Sequence, residues 1–293
     1  MSEKKTLQEK AMLSKLTVKM WYAETTDREV KEEISGTHAV KGDPGYFIKY
    51  IIPKKVLSNL FGIANNAKVT HNSQTLPWFD DKFRILPSAN FFVYREKMKP
   101  FEDSWKEAVE DLLSNYESLI EESKVRLSSL FKADDYPSKE TIRRKLRFSI
   151  SILPIPDSSD FRVDLGDEET NRIKQELDEQ VKKATKDALK DTWERLYAVV
   201  SKFTEVLPKY KPDEKGGKKN TFHESMVNNT VELCELLPKL NIMGDKKLEK
   251  MRKEVVSKLT KNTAKTLRED EAERKSTLEN ATTILEAMKP FIS

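Results

Sequence analysis

Apolar residues at Phe101, Trp105, Val109, Leu112, Tyr116, Leu119, Ile120, Leu127 and Leu130 recur mostly at steps of three and four. That spacing predicts one helical stripe over about 31 residues, or about 46 Å at the helical rise. Asp134-Asp135-Tyr136-Pro137 ends it. A second stripe follows Gly166-Asp167, with Asp167 as the expected N-cap. It runs through Ile173, Leu177, Val181, Ala184, Ala188, Trp193, Leu196, Val200, Phe203 and Leu207, and Pro208 stops it. The spacing predicts a helix of about 40 residues, about 60 Å long.

Between the two stripes the period changes. Ser138 to Arg147 reads as a short basic helix capped by Ser138. Phe148–Leu153 and Asp160–Leu165 both alternate strictly, joined by Pro154-Ile155-Pro156-Asp157-Ser158-Ser159, and so predict a β-hairpin. The hairpin either tips a helical hairpin or returns to complete a sheet near the N-terminus. The second arrangement is favoured, because a lone two-stranded hairpin is marginal in water.

Before residue 100 the pattern is mixed. Lys15–Ala23 alternates as a strand, and Thr26-Asp27 caps a short helix through about Ile34. Gly42-Asp43-Pro44-Gly45 is a turn, Tyr46–Ile52 is a strand or buried segment, and Lys54 to about Lys68 is helical. Phe83 and Ile85 alternate with Lys82 and Arg84 in a short strand. After a linker at 209–220, Thr221-x-x-Glu224 is a capping box opening a helix through Leu237. Residues 246–288 form a further helical segment, and its later apolar positions fit the 3.5-residue period of a coiled coil. Glu271 and Arg274 occupy core slots of that seam, so it bends there or packs as a bundle member.

The expected fold is therefore mainly α, with a small α+β N-terminal region, long antiparallel helices in a hairpin or bundle, and a β-hairpin near 148–165. The expected divisions are 1–100, 101–208 with a basic α/β insert at 132–166, the linker 209–220, and C-terminal helices at 221–293.

Composition narrows the function. Of the 293 residues 35% are charged, and only 8 are glycine, 1 cysteine and 3 histidine. A lone Cys234 excludes a disulfide scaffold, and no apolar run approaches the length of a membrane span. Met1-Ser2-Glu3-Lys4-Lys5 has no apolar stretch behind it, so no secretory signal is expected and the compartment is read as cytoplasmic. No phosphate-cradling glycine motif occurs, and His38, His71 and His223 are too dispersed for a zinc site. No cofactor is expected.

The net charge of +4 is small, but its distribution is uneven. Lys139, Arg143, Arg144, Lys145 and Arg147 face one acid, Glu140, and five lysines cluster between Lys209 and Lys219. Both are either solvated surfaces or contacts for phosphate or an acidic partner. Trp78, Phe79, Phe83, Phe91, Phe92 and Tyr94 interleave with Lys82, Arg84, Arg95, Lys97 and Lys99, the mixture single-strand binding uses. The competing reading makes those aromatics a core coated by cations. Asp80-Asp81 is either a turn or an acid/base or metal centre.

Leu76-Pro77-Trp78, Arg84-Ile85-Leu86-Pro87, Tyr116, Asp135-Tyr136-Pro137-Ser138, Pro154-Ile155-Pro156 and Asp160-Phe161-Arg162-Val163 occur in an order that resembles an uncharacterised protein family carried by bacteriophages and other bacterial mobile elements. The resemblance covers about residues 10–210 and implies a phage or mobile-element context, hence a host cytoplasm, with no catalytic residues to carry over. The expected function is non-enzymatic: an interaction or assembly protein, homo-oligomeric through its long helices, that engages a host protein or nucleic acid through basic surfaces. The first alternative is a nucleic-acid-binding accessory factor in phage replication or recombination, using Lys139, Arg143, Arg144, Lys145, Arg147, Trp78, Lys82 and Arg84. The second is a metal-dependent enzyme centred on Asp80 and Asp81.

Overall fold

A computed structural model describes residues 6–80, 82–163, 165–210 and 223–292. In chain order its elements are α1 (Leu7–Lys10), β1 (Ala11–Lys19), β2 (Glu24–Thr26), α2 (Arg28–Thr37), β3 (Ile48–Tyr50) and α3 (Ser58–Gln74). Next come β4 (Leu76–Pro77), β5 (Arg84–Pro87), α4 (Phe91–Ser114), α5 (Tyr116–Leu127), α6 (Lys139–Lys145) and β6 (Arg147–Pro154). The chain closes with α7 (Asp167–Val206), α8 (Ser225–Leu240), α9 (Lys246–Leu259), α10 (Ala264–Glu269) and α11 (Glu271–Ile292). The fold is mainly helical with a small β component, as the periodicity predicts.

The chain divides into two units, one made of residues 1–15, 72–92 and 152–293, the other of 16–71 and 93–151. The expected boundaries at 100 and 208 are not where it divides. Pro100 lies inside α4 rather than at a break, and the four crossings fall within β1, α3, α4 and β6. The linker read at 209–220 and Thr221 of the capping box lie almost wholly outside the described residues.

In the first unit α7 is the spine. From Ala184 onward its stripe is buried, with Trp193, Leu196, Val200 and Phe203 packed among Val227, Leu237, Val255, Ala281, Ile284 and Met288. α7 and α11 run antiparallel: Trp193 stacks on Phe291 at 4.2 Å, while the Arg274 guanidinium lies 5.2 Å from the Tyr210 ring near the other end. The hairpin partner expected for α7, the helix over 101–131, belongs instead to the other unit as α4 and α5. The physical reason is supply of complementary apolar surface: α8, α9 and α11 cover α7 from Trp193 onward, and Ala184 and Ala188 pack against Leu13, Leu76, Trp78 and Ile85. α7 begins after Gly166, whose φ of +83° favours glycine; Asp167 is its first residue rather than its cap.

The segment after residue 246 is three helices. Thr263 caps α10 through the Thr266 amide at 3.1 Å, and Asp270 accepts from the Glu273 amide at 3.0 Å to start α11. Arg274, a charge in an apolar seam, donates to the carbonyls of Leu267 and Arg268 at the end of α10.

β4, β5, β1 and β6 form one sheet in that order. β1 pairs antiparallel with β5, Ala11 opposite Pro87 and Ser14 opposite Arg84, and β5 pairs with β4. β1 starts at Ala11, four residues before the expected strand, directly after the single turn α1, which Thr6 and Glu9 open with a capping box. The hairpin predicted over 148–165 does not form. Phe148–Leu153 lies in β6, but Ser158–Asp160 is a 3₁₀ turn and no strand follows it among the described residues of 161–165. β6 joins a sheet that already exists, the arrangement favoured on stability grounds.

The second unit packs Trp21, Ile51, Ile52, Leu57, Leu60, Trp105, Val109, Leu112, Tyr116, Ile142 and Leu146 into one core. Its two-stranded sheet pairs β2 with β3. Asp27 caps α2 through the Val30 amide at 3.3 Å.

Candidate cationic surface

α6 begins at Ser138, whose hydroxyl accepts from the Thr141 amide at 3.3 Å. Ile142 and Leu146 are buried and hold it on the core of the second unit. That anchoring turns Arg143, Arg144 and Lys145 outward, and Arg147 follows at the start of β6; all four are exposed. The cations are not equivalent. Lys139 pairs with Glu117 at 2.8 Å, and Arg143 makes a two-pronged pair with Glu110, one prong 2.9 Å. Glu110 accordingly holds its proton less tightly than usual, chiefly through the Arg143 bond. Arg144 reaches only the Thr141 hydroxyl, at 3.3 Å. Arg144, Lys145 and Arg147 pair with no carboxylate among the described residues. Three of the five predicted cations in this segment thus remain available to an anion.

The other predicted site residues lie in the first unit and divide differently. Trp78 is buried in a cluster with Leu7, Leu13, Leu76 and Ile85, which removes it from any stacking surface. Arg84 is also structural. Its Nε donates to Thr75 Oγ1 at 2.7 Å, and Arg195 beside it donates to the carbonyls of Asn72, Ser73 and Thr75 at 2.6–3.1 Å. The two guanidiniums close the C-terminal end of α3, where orphan carbonyls and the helix dipole both favour cations. Asp191 balances Arg195 at 2.7 Å. Burial pulls the Arg84 pKa down, and the Arg195 charge adds to that. Arg195→Ala is expected to cost about 1–3 kcal/mol, read as a lowered urea midpoint, because three hydrogen bonds from a charged donor to the end of α3 are lost.

Of that stretch Phe79, Lys82, Phe92, Lys97 and Lys99 are exposed, Lys99 in an ion pair with Asp103. Asp80 Oδ1 accepts from the amides of Lys82 and Phe83 at 3.0 and 2.7 Å, a turn of the kind expected for that residue; Asp81 lies outside the described residues. Among the described residues no group of three or more His, Cys, Asp or Glu is placed to hold a metal ion. No helix among them is long and apolar enough to cross a membrane.

The sequence reading missed a buried ion cluster in the second unit. Lys49 Nζ lies 3.0 Å from Asp27, 2.7 Å from Asp135 and 2.6 Å from the Leu130 carbonyl. The Lys49 and Asp27 side chains are 2% and 1% exposed. Lys132 adds contacts to Asp27 at 3.5 Å and Glu29 at 2.9 Å. The hydrogen bond from Lys49 holds the Asp27 carboxyl below its ordinary range, against burial. Burial pulls the Lys49 ammonium down, but Asp135 and Asp27 together outweigh it and hold its pKa above the ordinary value. The available signal was a lysine inside an apolar run, Phe47-Ile48-Lys49-Tyr50-Ile51-Ile52. Here Lys49 is buried and Ile48 is 49% exposed, the reverse of what hydropathy alone assigns. The cluster joins the start of α2, β3 and the segment after α5, a structural role.

Comparison with protein-family models, curated proteins and solved structures finds no match to this chain.

Proposed function

We propose that the chain is a non-enzymatic, phage-encoded interaction protein of the host cytoplasm, which self-associates through its long helices and engages an acidic partner through the end of α6. The observation that carries this reading is the division of charge in α6. Glu117 and Glu110 neutralise Lys139 and Arg143, whereas Arg144, Lys145 and Arg147 stay exposed with no carboxylate partner among the described residues. The resemblance of residues 10–210 to a phage-carried family supports the context. Self-association is supported by α7, whose apolar stripe continues before Ala184 through Ile173 and Leu177 although neither is buried. A helical segment draws most of its stability from packing such a face.

The test uses the full chain with two anionic probes, a single- or double-stranded oligonucleotide and a polyglutamate peptide. Binding at low salt that disappears in Arg144→Glu/Lys145→Glu/Arg147→Glu supports the cationic site, and an unaffected triple variant removes it. If all three cations meet phosphates, the slope of log affinity against log salt falls by about 2–3 in the variant. Oligonucleotide binding in preference to polyglutamate favours the second reading, a nucleic-acid-binding accessory factor, for which exposed Lys82, Phe79 and Phe92 are the specific support. A light-scattering mass of 33.9 kDa at micromolar concentration removes self-association through the long helices.

A further inference from the structure

The two outer strands of the four-stranded sheet are treated very differently. β4 is two residues long and one of them is Pro77, both ordinary protections of a sheet edge. β6, at the other end, is eight residues long and none of the eight is buried. Between Arg147 and Pro154 it carries no charge and no proline, only Phe148-Ser149-Ile150-Ser151-Ile152-Leu153. An edge of this kind offers a row of main-chain donors and acceptors to another strand.

The side chains say which strand fits. Residues directly opposite in an antiparallel pair share a face of the sheet. Placing Ile150 opposite Ile150 of a second copy sets Phe148 opposite Ile152, Ser149 opposite Ser151 and Arg147 opposite Leu153. The apolar face meets an apolar face, serine meets serine, and no like charges meet. The pattern is self-complementary about Ile150, which is the property of an isologous two-fold contact. Such a pairing also closes: each β6 edge covers the other and none is left to propagate.

We propose that β6 pairs antiparallel with β6 of a second copy of this chain, with the two-fold axis at Ile150, joining two four-stranded sheets edge to edge. This contact is separate from helix-mediated association, and it leaves the two Arg147 side chains at opposite ends of the paired strands. The contact is small, so it is best read by trapping rather than by mass alone.

The experiment places single cysteines in the full chain and oxidises it mildly at micromolar concentration. Cys234 stays as an internal control: it is buried, and burial pushes its thiol up to about 11. In the proposed register the Cα atoms at position 150 approach to about 4.5–5.5 Å, within disulfide reach. Those at position 153 are offset by six residues, about 20 Å along the strand. Ile150→Cys is therefore expected to form a disulfide-linked dimer at least tenfold faster than Leu153→Cys, a position that is 46% exposed. Unchanged circular dichroism of Ile150→Cys confirms that its fold is kept. Ser149→Cys mixed with Ser151→Cys is a second arm, expected to give the heterodimer in preference to either homodimer. Equal rates at 150 and 153, or no heterodimer preference, overturn the proposal. A dimer by light scattering with neither disulfide also overturns it while leaving helix-mediated association standing.

Discussion

Replacing Lys49 by methionine is expected to destabilise the protein by about 3–5 kcal/mol, because it strands a buried carboxylate without its partner. The Asp27 side chain is 1% exposed and Lys49 is its closest cation, at 3.0 Å against 3.5 Å for Lys132. A urea melt reads the effect, and a loss under 1 kcal/mol would show that Lys132 and water suffice to hold Asp27. Removing the whole cluster, as Lys49→Met/Asp27→Asn/Asp135→Asn, is expected to recover much of the loss, since no buried charge then remains. Asparagine also keeps the cap of α2. The pH dependence has a definite sign. Asp27 is held below its unfolded value, so its contribution is full above about pH 4–5 and is lost as pH falls through the folded value. Lys49 is held above its unfolded value, so its contribution is full below about pH 10 and is lost as pH rises through the folded value. In Lys49→Met the basic limb from this residue disappears and the acid limb flattens, because protonating Asp27 then relieves an unpaired charge.

Trp193→Ala is expected to cost a similar amount, about 3–5 kcal/mol, by opening a cavity at the meeting of α7, α11 and the turn into α9. Trp193 is 2% exposed, its ring stacks on Phe291 at an interplanar angle of 12°, and its indole N–H donates to Asp245 Oδ2 at 3.1 Å. Asp245 also caps α9 by accepting from the Lys247 amide at 2.8 Å. Trp193→Phe separates the two contributions: it keeps most of the apolar volume and loses the donor, for about 1–2 kcal/mol. Equal losses in the two variants would make the hydrogen bond, not the packing, the dominant contribution. A cycle with Phe291→Ala should return a coupling of about 0.5–1.5 kcal/mol for the stacked pair.

What was legible in the sequence is what depends on neighbours a few residues away. The stripe from Ile173 to Leu207 predicts a helix over 167–207, and α7 spans Asp167–Val206. Asp27 and Ser138 were readable as caps because a cap needs only the next turn. What depends on distant partners was not. Lys49 sits in an apolar run, and nothing local announces that Asp27 and Asp135 converge on it. The basic segment 139–147 was visible, yet the sequence could not say that Glu110 and Glu117 would take two of its five cations. Trp78 and Arg84 looked like a ring and a charge suited to a nucleic acid. One fills a core with Leu7, Leu13 and Ala184 and the other closes the end of α3, placements set by partners outside the stretch itself. The division of the chain was equally hidden, since the crossings occur inside strands and helices and leave no change of composition.

Those crossings set an order for synthesis. The unit built from residues 16–71 and 93–151 has all of its chain once Ser151 has left the ribosome. The other unit includes residues ahead of Leu16, yet the α11 face that covers Trp193 follows more than a hundred residues after Ser151. Its early pieces, including Ala11–Lys15 of β1 and the whole of β5, therefore wait through the making of more than a hundred further residues. During that interval β6 is already complete, and its outer edge, which pairs with no strand among the described residues, is available to a neighbouring nascent chain on the same messenger.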